Sequence, residues 1–165
     1  MRLRHSTSLG FTLIESVIAV AFSVLFLGSV FTMNISSMEA IRCAKESTTA
    51  GQVLQQRIES LRIANWQEIT STSWLAANIL NADALGAASL KNLSETLTLV
   101  PYGSATVGNI TLTRSGGQAI VVNSTPLLTE NAIKVIWTLD YTGAPNNHAI
   151  ARQIVAILAK GGVAK

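Results

Sequence analysis

Between Ser16 and Met38 the chain carries no Asp, Glu, Lys or Arg. As an α-helix rising about 1.5 Å per residue, such a run is long enough to cross a hydrocarbon layer of ~30 Å. A helix that is apolar around its whole circumference is stable in a membrane or in the core of a large protein. At 165 residues the chain is one domain with an appendage, not two full domains. Immediately before the run stands Gly10-Phe11-Thr12-Leu13-Ile14-Glu15, and Glu15 leaves a carboxylate at the edge of the apolar segment. A charge there is costly and requires a compensating partner. Arg2, Arg4 and His5 lie upstream, a basic flank of the kind that holds the near end of a membrane helix on the cytoplasmic side.

Composition agrees with an anchored protein. Hydrophobic residues make up 48% of the chain and charged residues only 13%, and much of the apolar excess falls in residues 11–33. Of twelve Lys/Arg, two are in the leader, which leaves ten against nine Asp/Glu. That near-neutral remainder lacks the clustered basic residues of a nucleic-acid-binding surface. Cys43 is the single cysteine, so no disulfide can form within the chain. Its bland reading is a small residue on a helix face. A bridge between subunits remains open to it.

The short basic leader ending in Gly10, the sequence Phe11-Thr12-Leu13-Ile14-Glu15 and the apolar run together resemble the class III signal of type IV prepilins and type II secretion pseudopilins. The resemblance implies cleavage after Gly10, N-methylation of the new amine at Phe11, Thr12, Leu13 and Ile14 as the rest of the signal motif, and an assembly role for Glu15. Gly10 suits the position before a scissile bond because it has no side chain to obstruct a narrow protease site. The Phe11 amine lies one helical turn from Glu15, and a neighbouring subunit's amine could pair with it at one axial stagger. The partners implied are a prepilin peptidase/methyltransferase, other pilin or pseudopilin subunits, an inner-membrane assembly platform and the lipid bilayer. The location implied is the bacterial cytoplasmic membrane, with the leader in the cytoplasm and the head outside, and then a pilus or pseudopilus. Two alternatives compete. A secretory signal peptide has an apolar region of only about 7–15 residues and a small-residue cleavage motif, which Ser29 to Ser36 does not supply. An uncleaved single-pass anchor bearing a periplasmic adaptor explains the run and its basic flank but not Glu15.

The helix is expected to continue beyond the membrane. From Asn34 to Ala64 there is no Pro, and Gly51 is the only Gly. Ile41, Ala44, Thr48, Gly51, Leu54, Ile58 and Leu61 recur at helical spacing, with Glu39, Arg42, Glu46, Gln56 and Glu59 opposite. Ala44 and Gly51 are expected to let a sheet approach closely, with a local bend conceivable at Gly51. The resemblance bears on continuity as well. Major pilins often have a Pro midway along this helix where it melts locally, and here Thr32 lies near that place. The expected divisions are a leader at 1–10, an apolar helix at 11–33, its amphipathic continuation at 34–64 and an α+β head at 65–165.

In the head, Ser71-Thr72-Ser73 can cap a short helix through Trp74, Leu75, Ile79 and Leu80, followed by a loop around Gly86. Alternation at Thr96–Val100 and Asn109–Thr113 predicts strands. Ser115-Gly116-Gly117 before the β-branched run Gln118–Asn123 predicts a hairpin. Ile133–Tyr141 reads as a long strand, Gly143–Asn147 as a turn and Arg152–Leu158 as the last strand. A long helix followed by an antiparallel sheet is an α+β fold, which the prepilin resemblance also implies. Gln55-Gln56-Arg57-Ile58-Glu59-Ser60-Leu61-Arg62 with Trp66, and Val135-Ile136-Trp137 in the penultimate strand, are similar to V-type minor pilins and I-type minor pseudopilins.

Catalytic and metal-binding patterns are not expected. His148, in the expected turn, has no Cys or second His at ligand spacing. Asp83, Glu95, Glu130 and Asp140 are scattered and form no calcium loop. Trp66, Trp74 and Trp137 read as packing residues. The reading is therefore of a structural subunit without cofactor or metal, itself the substrate of an enzyme.

Overall fold

The computed structural model describes residues 12–103, 110–144 and 147–161. Gly10 and Phe11 lie outside these residues, as do Pro145 and Asn146 of the expected turn. The chain divides into two compact units, Met1–Ile41 and Arg42–Lys165, and helix α1 (Leu13–Ile63) contributes to both.

In the first unit α1 is unbroken and exposed on all sides. Its large apolar residues, from Leu13 through Phe22, Leu25 and Phe31 to Met38, are all open. The hydroxyls within the run turn back on the helix. Ser23 donates to the Ala19 carbonyl at 2.8 Å, Ser29 to Phe26 at 2.7 Å and Thr32 to Ser29 at 2.8 Å. These side chains thus satisfy themselves without water, as a membrane segment requires. The helix continues through Thr32 in keeping with the absence of Pro.

The second unit is an α+β head. Five strands, β1 (Lys91–Pro101), β2 (Ile110–Ser115), β3 (Gln118–Ser124), β4 (Ala132–Gly143) and β5 (His148–Ala159), form one antiparallel sheet in the order β3-β2-β1-β4-β5. The β2–β3 hairpin turns at Gly116 and Gly117, with φ of 59° and 83°. A two-residue turn matching the twist of its strands needs positive φ at both positions, which glycine adopts freely. Alternate residues face the core: Leu97 and Leu99 on β1, Leu112 on β2, and Val135, Trp137, Leu139 and Tyr141 on β4 are buried. Trp137 sits opposite Leu97 and Ile154 and is wholly enclosed, as a packing residue. Short helices α2 (Trp66–Ile69) and α3 (Thr72–Trp74) close the core, followed by a π-helical segment over Leu75–Leu80 and a 3₁₀ turn at Ala87–Ser89. The Ser71 hydroxyl caps α3 as expected, accepting from the Trp74 N–H at 3.4 Å.

Three expectations require correction. The buried face of α1 in the head is Thr49, Ala50, Val53, Leu54, Arg57, Ile58 and Leu61, whereas Ile41, Ala44, Thr48 and Gly51 are exposed. The buried stripe is rotated from the expected one and includes Arg57, whose burial is made possible by its acidic partner Glu95. Gly51 gives no close approach, since a Cβ there would meet nothing within 4 Å, and the helix is continuous through it. The close approach occurs at Gly86, where φ is +84° and a Cβ would lie 2.9 Å from Thr49 Cγ2. Finally, β5 begins earlier than expected: His148 belongs to the strand, opposite Gly143, because the whole length of β4 is available for pairing.

Candidate functional site

Two polar arrangements stand out, one in each unit. The first is at the start of α1. Thr12 precedes the helix and Glu15 is three residues on, the spacing of a capping box. The Thr12 N–H donates to Glu15 Oε2 at 2.9 Å, the Thr12 hydroxyl donates to the same oxygen at 2.9 Å, and the Glu15 N–H donates to Thr12 Oγ1 at 3.4 Å. Two of the N–H groups left without a carbonyl at the helix start are satisfied in this way. The carboxylate also stands at the positive end of the helix dipole. Leu13 and Ile14, between them, are 84% and 67% exposed, so this turn presents its apolar side chains outward. Thr12, Leu13, Ile14 and Glu15 are thus brought into one helical turn. Gly10 and Phe11 are outside the described residues, and the expected pairing of Glu15 with an amine falls there too. The Thr12–Glu15 box went unread in the sequence, although a Thr-x-x-Glu before an apolar run is a legible signal for it.

The second arrangement is buried in the head. Arg57 of α1 grips Glu95 of β1 with both ends of its fork, Nε to Oε2 at 3.0 Å and Nη2 to Oε1 at 2.9 Å. Its Nη1 donates to the Ile79 carbonyl, and its guanidinium lies 5.9 Å from the centre of the Trp137 ring. Arg114 of β2 joins from the other side, donating to Glu95 Oε1 at 3.1 Å and to Asp83 Oδ1 at 3.1 Å. Asp83 and Glu95, which look scattered in sequence, therefore share Arg114. Arg57 is 3% exposed and Glu95 is fully enclosed, so the centre of the network is interior, whereas Asp83 at its outer end is exposed. The two buried members carry opposite charges, as burial demands.

Other grooves carry no comparable chemistry. A cleft of about 360 Å³ is lined mainly by Leu61, Trp66, Ile69, Ile157 and Leu158. Among the described residues, no three or more His, Cys, Asp or Glu side chains are grouped where they could hold a metal ion. At the far side of the head, the Ala144 N–H donates to Glu46 at 2.9 Å and Arg152 to the Ser47 hydroxyl at 2.8 Å. These contacts tie the β4–β5 end to α1. Cys43 is free and half-buried. Comparison of the chain with protein-family models, with curated proteins and with solved structures gives no match.

Proposed function

We propose that this chain is a minor pilin or pseudopilin, a structural subunit trimmed after Gly10, N-methylated at Phe11 and built into a type IV pilus or type II secretion pseudopilus. The observation that carries the reading is the exposed, all-round apolar first half of α1, headed by one carboxylate in the Gly10–Glu15 motif and followed by an α+β head. Such a helix serves twice: as a membrane anchor for the precursor, and as the core of a helical bundle after extraction. Ala19, Ala21, Ser23, Gly28 and Ser29 supply the small contacts that close helix packing uses. The precursor resides in the cytoplasmic membrane with its head outside, and its partners are a prepilin peptidase/methyltransferase, an inner-membrane assembly platform and other subunits of the filament. A non-polymerising membrane adaptor would share the anchor, the head and the helix cap that Glu15 makes with Thr12, but would have no use for a cleavage point between Gly10 and Phe11.

Gly10→Val tests this reading. In cells with the processing peptidase, the variant is expected to accumulate as a full-length, membrane-retained precursor, seen as a slower band on immunoblots. Normal loss of residues 1–10 in that variant would contradict the proposal.

A further inference from the structure

We propose that the buried Arg57–Glu95 pair is a register lock that fixes the axial seating of α1 on the sheet of the head. The inference concerns the head alone and does not depend on whether the chain enters a filament.

The buried face of α1 repeats with a period of one turn. Thr49, Val53, Arg57 and Leu61 form one row, and Ala50, Leu54 and Ile58 form the other. Sliding the helix by four residues, about 6 Å, superposes each row on itself and brings most aliphatic side chains into sites that already hold aliphatic side chains. Packing distinguishes the two seatings by size alone. Arg57 breaks the repeat. A one-turn slip in either direction would put Val53 or Leu61 opposite Glu95, strip a fully enclosed carboxylate of its bidentate partner, and carry Arg57 away from Glu95, the Ile79 carbonyl and the Trp137 ring. A single buried polar group fixing helix register at some expense in stability is the best-attested use of such groups. Arg114 completes the device by holding Glu95 in place from β2.

The test uses the full chain in detergent micelles, in a Cys43→Ser background. Spin labels are attached at Gln52→Cys on α1 and Gln118→Cys on β3, both exposed positions, and their separation is measured by pulsed electron resonance. The parent is expected to give one narrow distance. The paired variant Arg57→Met/Glu95→Leu, which replaces charges with apolar groups of similar bulk, is expected to keep a cooperative melt but to show a second population, displaced by up to about 6 Å. Asp83→Ala, which removes only the exposed member, is expected to match the parent. A single unchanged distance in the paired variant would show that packing alone sets the seating and would overturn the proposal. Loss of the cooperative melt would overturn it equally, since the network would then serve core stability.

Discussion

Glu15 and Glu95 are each explained by what donates to them. Glu15 closes a capping box with Thr12, so its position is set by the backbone of its own helix. In the proposed assembly role the same oxygen is the acceptor an incoming amine would seek, and the box holds it at the helix start. Glu15→Ala is accordingly expected to be processed normally after Gly10 but to enter filaments poorly, as measured by the ratio of sheared to cell-bound protein. Unchanged incorporation would count against pairing. Glu15 was legible as exceptional from its position alone. The importance of Glu95 was not, because Arg57, its partner, is 38 residues away, and no local pattern reveals a pairing made by tertiary folding.

At the scale of elements, the long helix and the strands followed from periodicity, since turn residues and alternation are local signals. Gly116-Gly117 marked its hairpin because a two-residue turn demands positive φ twice. The face of α1 that meets the sheet was misjudged. A charged residue on a helix is ordinarily solvated, so Arg57 was not counted among the inward positions and the stripe was drawn through Ala44, Thr48 and Gly51 instead. The π-helical turn at Leu75–Leu80 likewise left no mark in the periodicity. The two glycines that this correction exchanges give a paired expectation. Gly51→Ala sits on an exposed helical surface with open space around its Cβ and should stabilise the head by about 0.5–1 kcal/mol. Gly86→Ala must hold a left-handed conformation against Thr49 and should destabilise it by at least about 1–2 kcal/mol. Denaturant unfolding of the full chain in micelles checks both. Shifts of the same sign would contradict the assignment of the close approach to Gly86.

For the whole molecule, two compact units share one helix. The first presents the uncharged run from Ser16 to Met38, long and apolar enough to cross a membrane; the second has its own core, closed by Trp137 and the leucines of the sheet. The head's dense polar cluster is centred on the enclosed Arg57–Glu95 pair and reaches the surface at Asp83. In the proposed function the chemistry is done to the chain, at Gly10 and Phe11. The intact mass and N-terminal sequence of protein recovered from a host that carries a prepilin peptidase test this most directly. A chain that begins at Phe11 with a methylated amine is the expected result; one that retains Met1 to Gly10, or is cut between Ser29 and Ser36, would contradict it.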